Sequence, residues 1–356
     1  MTLSVVIPAH NSADTIESCL RSIASQMVPD IEIVVVDDGS SDDLLGVVRS
    51  FDPSGVITVL RQDQSGVSVA RNLGFAASRG DRVIFIDADD CLPPDSLGAF
   101  LGFSVASAAD ISVGDFLIRS DRGDVRHANI NSRQPSFDSA SAAVFQWLCI
   151  ARVGFHHKPN TGLLGGPWAK IYKRDFLERA FPDGQLFTPG IRRGQDVLFN
   201  VEAFGAAQSV SYRAEPVYIY RTSDSSHSRR QNDEYVSSVA KLVQAMNDLI
   251  RRKNWPHLEP AVAALSVTLF EEAVLRLGAD ATASTVRTIA SQQPFIAGIP
   301  RARLRDFSRR GASKLLLLKI RSFGLYAKTL RSISKVRPSH ARPTAKPAEK
   351  ILGRSG

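Results

Sequence analysis

An α/β architecture, with a parallel or mixed sheet covered by helices on both faces, is what this sequence predicts. Three observations point to it. Short apolar runs alternate with segments of helical spacing through the first third of the chain. The runs are apolar at nearly every position, as in strands covered on both faces. Three of them stop abruptly in polar clusters, which in an open α/β sheet would collect at the ligand-binding edge.

Taken in order, LSVVIP (3–8) is the first strand. Asn11, Ser12 or Asp14 would cap the next segment, where Ile16, Cys19, Leu20, Ile23 and Met27 recur at helical spacing. IEIVVVDD (31–38) is a second strand running into a DGSSDD turn, and VITVL (56–60) is a third. VSVARNLGFAASRG (67–80) reads as a helix ended by Gly80, and RVIFID (82–87) as a fourth strand. If these strands are parallel, Pro8-Ala9-His10-Asn11, Asp37-Asp38-Gly39-Ser40 and Asp87-Ala88-Asp89-Asp90 share one sheet edge. Beyond residue 100 the spacing predicts a strand at 110–118, a polar surface excursion at 119–136 and a long loop at 152–167. An amphipathic stretch at 168–177, a helix at 194–207, a strand at 216–221 and helices from about 234 to 292 follow. The tail from 338 has the composition of a disordered segment.

The chain has 356 residues, 44% of them hydrophobic, enough for a large core. Its three cysteines are widely spaced and fit no metal or redox motif, so they read as free thiols in a reducing compartment. MTLSVVIPAHN has neither a basic n-region nor a long apolar h-region, and no apolar run would span a bilayer, so the expected location is cytoplasmic. The net charge of +8 is unevenly spread. Residues 301–356 carry ten Arg and six Lys against Asp306 and Glu349, a net of +14, leaving −6 for residues 1–300. An anionic partner is therefore expected for the tail, not for the body.

The acids of RVIFIDADDCLPPD pose the chemical question. Three carboxylates at one strand end repel unless a positive charge sits among them, and a divalent cation bound to a polyphosphate suits hard oxygen ligands. An exposed turn capping a helix near Pro94 suits the same residues, and this stretch alone leaves both readings open. The second acid-ended strand, VVVDDGSSDD, favours the first reading: an Asp there would accept from a base N–H, and Gly39 permits close backbone approach. A dinucleotide fold would need G-x-G-x-x-G where the chain has PAHNSADT. Aspartyl phosphatases carry their D-x-D on the first strand, followed two residues later by Thr or Val, where this chain has Cys91.

SVVIPAHNSADTIESCLRSI, EIVVVDDGSSDD, QSGVSVARNLGFAASRGDRVIFIDADD and GPWAKIYKRDFL follow one another as in the family 2 glycosyltransferases, which this chain resembles. The resemblance is close over residues 1–105 and looser over 165–228. It implies a GT-A-type, Rossmann-like mixed sheet flanked by helices, and a nucleotide-sugar donor, with UDP-sugar expected. Pro8, Ala9 and Asn11 would line the nucleotide pocket, Asp38 would hold the base edge, and Arg71 would lie near the base or diphosphate. Asp87 would contact the ribose or the metal's water shell, and Asp89 would ligate Mn²⁺ or Mg²⁺. Asp196, in RRGQDVLFN, stands where the family places its base for an inverting displacement, with Gln195 where the family has Glu. An ordinary helix-start Asp favoured by the helix dipole is the other reading of Asp196. Arg221 and His227, in YIYRTSDSSHS, would reach the diphosphate or metal, although a solvated loop explains His227 equally well. Trp168 and Gln195 would touch acceptor, with His156 and His157 in the loop before them.

The organisation implied is a catalytic domain at 1–228, divided into a nucleotide-sugar half (1–105) and an acceptor half (106–228). A helical extension (229–300), a basic amphipathic helical segment (301–337) and a tail (338–356) follow. The acceptor would be a glycan or lipid-linked glycan of a cell-surface polysaccharide. Within the basic segment Leu316, Ile320, Phe323, Ala327 and Leu330 fall on one helical face, and Lys314, Arg321, Lys328 and Lys335 on the other. Such a helix would lie on an anionic membrane through residues 311–337, at the inner face of the cell membrane, or pack its apolar face on the body. Nucleic acid is disfavoured, because Phe323 and Tyr326 are the only aromatics between residues 314 and 335. A catalytically inactive, nucleotide-binding or scaffold relative and a nucleotidyltransferase are the competing classes. The second usually carries a Gly-rich phosphate loop that is not present here.

Overall fold

Strand β1 (Leu3–Ala9) is buried along its whole length and takes parallel partners on both sides. These are β2 (Ile31–Asp38), in register from Leu3 opposite Ile31 to Ala9 opposite Asp37, and β4 (Arg82–Phe85). The chain is a computed structural model describing residues 2–52, 54–121, 123–130, 132, 134–150, 164–222, 233–277 and 280–336. It divides into two compact units, 1–149 with 164–227, and 150–163 with 228–356.

The first unit is built on one nine-stranded sheet of order β3-β2-β1-β4-β8-β5-β9-β7. Beside the strands already named, β3 (Thr58–Gln62) is parallel to β2, and β8 (Lys170–Lys173) is antiparallel to both β4 and β5 (Ile111–Ser120). The long β9 (Ser209–Arg221) is parallel to β5, with β7 (Ser136–Asp138) antiparallel at the edge, and β6 (Gly123–His127) forms a hairpin on β5. Strands antiparallel to the same strand are parallel to each other. The carboxyl ends of β1, β2, β4, β5 and β9 therefore share one sheet edge with the amino end of β8.

Helices α1 (Ala13–Ala24), α2 (Leu44–Phe51), α3 (Val67–Ala77) and α4 (Ser96–Ser107) connect the first strands. A Cβ on Gly74 would sit 2.4 Å from Val6 Cγ1 and 3.1 Å from Val36 Cγ2, so only glycine lets α3 lie so close to β1 and β2. Helix α5 (Ala142–Ile150), α6 (Arg174–Ala180) and α7 (Gln195–Ala206) follow. Phe199 of α7 meets Phe187 at 4.4 Å and Phe85 of β4 at 6.2 Å between ring centres, an aromatic core between α7 and the sheet.

The second unit is helical: α8 (Asp233–Lys253), α9 (Glu259–Arg276), α10 (Ala283–Ala290), α11 (Phe295–Arg301), α12 (Arg309–Lys319) and α13 (Phe323–Val336). Helix α9 is its hub, with Phe270 against Phe295 of α11 and Tyr326 of α13. Inside it, Lys314 of α12 is buried in an ion pair with Glu271 of α9.

Several elements differ from the sequence reading. Helix α1 stops before Met27, which is exposed, and α3 stops at Ala77, not at Gly80. The third strand lies two residues later than expected, as a largely exposed edge. The fourth ends at Phe85, two residues early, although Ile86 N still donates to Val6 O at 3.1 Å before the acidic loop begins. The polar excursion at 119–136 contains β6, and the short strand expected at 216–221 is thirteen residues long. The single amphipathic helix expected at 314–335 is broken: Arg321 takes a left-handed φ of 57° between α12 and α13. Of the apolar face read for this segment, Ala327 and Leu330 are buried but Leu316 and Ile320 are exposed, while Lys314, placed on the opposite, basic face, is buried. His156, His157, His227 and the tail lie outside the described residues.

Gly74→Ala should cost about 1–3 kcal/mol through overpacking of α3 on the sheet, read as a lower urea midpoint with an unchanged m-value.

Candidate active site

The three polar clusters lie together on the carboxyl edge because β2, β1 and β4 are adjacent and parallel. At the end of β1, Pro8 and Ala9 are buried, and Asn11 takes a φ of 50°. Its amide nitrogen donates to Ser40 Oγ at 2.9 Å, and its side-chain oxygen accepts from Ser41 N at 2.8 Å. His10 Nδ1 lies 2.8 Å from the Asp38 carbonyl oxygen. The ends of β1 and β2 are thus laced into one floor.

Asp38 is buried and its carboxylate is heavily engaged. Oδ1 accepts from Gln62 Nε2 at 2.6 Å and Ser65 N at 2.7 Å, and Oδ2 from Gly66 N at 2.8 Å. Here it organises the loop into α3 whose Gly66 has a φ of 94°. Asp37, fully buried, accepts from Ser40 N at 2.8 Å and faces Arg61 at 3.4 Å.

Arg71, on α3, is 4% exposed and pairs through Nη2 with Asp87 Oδ1 at 2.6 Å, its guanidinium over the Phe187 ring at 5.1 Å. Its Nε and Nη1 have no hydrogen-bond partner among the described residues. A buried cation with donor capacity left over is suited to an anionic ligand.

The acidic loop is held from the far strand. Asp90 is buried; its Oδ2 accepts from Tyr218 Oη at 2.6 Å and its Oδ1 from Arg221 N at 2.8 Å, both on β9. Tyr218 Oη accepts in turn from Asp87 N at 3.2 Å, and Cys91 and Ile219 exchange backbone bonds. Burial, with the charges of Asp87 and Asp89, pushes the Asp90 carboxyl well above the usual carboxylate range. Asp89 points outward and is exposed. The Arg221 side chain donates to Ser18 Oγ at 2.8 Å.

Trp168 is nearly buried. It stacks on Tyr218 (5.2 Å) and Tyr220 (5.9 Å), with Phe116 edge-on at 4.7 Å. It is chiefly a packing slab beneath Tyr220. Burial first, then the charges of Asp90, Asp89, Asp87 and Asp196, push the Tyr220 hydroxyl up to about 12. Tyr220 thus feels both the acidic loop and Asp196, which lies 106 residues beyond Asp90 in the sequence.

Asp196 sits in the first turn of α7, after Gly194 in the left-handed region, and is half-buried. Asn200, one turn on, is fully buried. Its Nδ2 donates to the carbonyls of Gly165, Gly166 and Asp196, each at 3.0 Å, and its Oδ1 accepts from Tyr172 Oη at 2.9 Å. Lys170 Nζ, also fully buried, donates to Gly166 O at 2.6 Å. These groups tie the segment before β8 to the turn carrying Asp196. Gln195 Oε1 is buried and has no hydrogen-bond partner among the described residues. Reading the sequence by motifs missed Asn200 and Tyr218, and it did not foresee that Asp90 faces inward or that Lys170 braces the Gly166 carbonyl. The Tyr-x-Tyr-Arg and Trp-x-Lys-x-Tyr patterns were the available signals for Tyr218 and Lys170.

A mixed sheet of this order, with an Asp-x-Asp loop at its carboxyl edge, defines a GT-A-type α/β fold. The chain belongs to glycosyl transferase family 2, whose model matches residues 4–181. Among curated proteins it is 26% identical to Glycosyltransferase GlyA of Streptococcus pneumoniae over 75% of this chain and 38% of GlyA. It is 29% identical to the uncharacterized glycosyltransferase EpsJ of Bacillus subtilis over 63% of this chain and 62% of EpsJ. The matches thus span less than two thirds of either relative. The crystal structure of S. aureus TarS 1-349 in complex with UDP-GlcNAc superposes with a TM-score of 0.59 at 17% identity, covering 94% of this chain and 92% of that one, a likeness of fold.

Burial lowers the Lys170 ammonium from 10.5 to about 8, against the opposing pull of Cys149 and Asp196. A folded state that binds this proton less tightly than the unfolded one gains stability as pH rises from about 8 to 10.5. Wild type should gain on Lys170→Met across that window, by up to about 3 kcal/mol, in urea titrations at each pH.

Proposed function

We propose that the protein is a metal-dependent, inverting glycosyltransferase that moves a sugar from a UDP-sugar to a glycan or lipid-linked acceptor in cell-surface polysaccharide synthesis, working at the cytoplasmic side. The observation that carries this reading is the meeting of the polar ends of β1, β2 and β4 on one sheet edge, with buried Arg71 paired to Asp87 there. Family membership supports the reaction class. The UDP-GlcNAc bound to TarS, itself described as a poly(ribitol-phosphate) β-N-acetylglucosaminyltransferase, supports the donor class and a surface-polymer acceptor.

On this reading the base and ribose lie over Pro8, Ala9 and Asn11, with the Asp38-braced loop at their edge. Arg71, paired with Asp87, contributes its buried positive charge beside the diphosphate, and Arg221 closes from β9. Among the described residues no group of three or more His, Cys, Asp or Glu side chains is arranged to hold a metal. A divalent cation on a diphosphate needs only one or two protein carboxylates, and exposed Asp89 with Asp87 beside it fits that demand. Mn²⁺ or Mg²⁺ bound there would neutralise the leaving diphosphate.

Asp196 accepts the acceptor hydroxyl's proton as that oxygen attacks the anomeric carbon from the face opposite the diphosphate. The carbon–oxygen bond to the nucleoside diphosphate breaks with its electron pair leaving on the diphosphate, and the anomeric centre inverts. Asn200 and Lys170 hold the base's turn in place, and the Trp168–Tyr220 stack forms the acceptor wall with Gln195 at its rim.

Asp196→Asn should keep UDP affinity and lower kcat by about two to four orders of magnitude in a donor-consumption assay. Retained turnover would move the base elsewhere. Asp89→Ala should abolish the difference in UDP affinity between Mn²⁺ and EDTA in calorimetry, and a surviving difference would place the metal on other ligands.

A further inference from the structure

We propose that the turn joining α12 to α13 is a docking surface for an anionic lipid bilayer. Helix α12 buries Gly311, Lys314, Leu315 and Leu318 against its own unit. The opposite face, at intervals of three and four residues, presents Arg309, Ser313, Leu316 and Ile320 to solvent. Leu316 is 48% exposed and Ile320 62%, and Leu325, in the first turn of α13, is 53% exposed. The arrangement departs from an ordinary surface helix, because a lysine shares the inside face with Leu315 and Leu318 while two more large aliphatic side chains stand outside. Lys314 is held inside by Glu271, so the helix cannot roll to hide Leu316 and Ile320 without unpairing a buried charge.

The exposed aliphatic side chains stand among cations. From Arg301 to Lys328 eight Arg and Lys side chains are exposed, among them Arg309, Lys319, Arg321 and Lys328, while Asp306 is the single acid between residues 301 and 336. This pairing of chemistries selects the partner. A bilayer with anionic headgroups takes the cations at its surface and the aliphatic side chains at the acyl boundary. A nucleic acid would use the charge but would find no exposed stacking aromatic here, since Phe307 and Tyr326 are buried and half-buried Phe323 lies under the Arg287 guanidinium. A second copy would cover the leucines only by bringing two strongly positive segments together. No described helix is long and apolar enough to cross a membrane, so the contact is peripheral. This surface is independent of the catalytic assignment.

The test is cosedimentation of the full chain with vesicles of phosphatidylcholine containing phosphatidylglycerol, and with phosphatidylcholine alone. Binding is expected only to the anionic vesicles and should weaken with salt. Each cation near such a surface is worth about fivefold in affinity, so Arg309→Gln with Lys328→Gln should weaken binding about 30-fold. Leu316→Ser, Ile320→Ser and Leu325→Ser together should weaken it about tenfold or more, with the melting temperature unchanged because all three sites are exposed. Absence of binding to anionic vesicles overturns the proposal. So does binding that survives the three serines and is matched by duplex DNA, which marks a charge-only polyanion surface. A change from dimer to monomer on introducing the serines, with vesicle binding unaltered, also overturns it by assigning the face to a second copy. Should the serine variant fail to fold, the two-cation variant carries the test alone: affinity for anionic vesicles equal to wild type overturns the proposal.

Discussion

The buried Asp90 carboxylate is the constraint on which the site depends. Strands β4 and β9 are not neighbours, because β8 and β5 lie between them. The loop leaving β4 nevertheless crosses to β9 and is bolted there by Asp90 to Tyr218 Oη and Arg221 N. Burying a carboxylate beside Asp87 and Asp89 is costly, as its raised pKa records, and the two short hydrogen bonds offset that cost. Tyr218 binds Asp87 N with the same hydroxyl, so one side chain fixes the loop at two points. Asp89 is left projecting outward, and Asp87 is left to pair with Arg71.

The opposite wall is built on the same logic with neutral groups. Asn200 has one acceptor and two donors, and all are used, on three carbonyls and one hydroxyl. Because one of those carbonyls belongs to Asp196 and two to Gly165 and Gly166, the amide couples the start of α7 to the segment that leads into Trp168. The Trp168 ring then carries that position to Tyr218 and Tyr220 through stacking. Acidic loop, aromatic slab and candidate base form one connected set of contacts within the first unit. Such preorganisation is what electrostatic stabilisation of a transition state needs.

Much of this was legible in sequence, and the reasons are specific. Buried parallel strands announce themselves as continuous apolar runs, so β1 and β2 were located to within a residue. Their polar ends follow from the same runs stopping. Edge strand β3, with only Leu60 and Gln62 even half-buried, carries little apolar signal, and its position was read two residues early. Asp90 was counted among three similar acids because sequence does not say which acid faces inward. That assignment is set by β9, more than 120 residues away. Asn200, and the role of Lys170 within its Trp-x-Lys-x-Tyr pattern, were not legible for the same reason: both are defined by backbone carbonyls, which carry no residue identity.

The C-terminal segment shows where periodicity alone misleads. Its apolar and basic residues were all visible, and a single helical phase arranged them into an oily face and a charged face. The structure breaks that phase at Arg321, whose left-handed backbone restarts the helix on a new bearing. It also places Lys314 inside, because Glu271, on a different helix, offers a buried carboxylate there. A partner more than forty residues away thus decides which side of α12 faces in, and so which aliphatic side chains are left outside. Hydrophobic content is readable from composition, but the direction in which it points was settled by one buried charge pair.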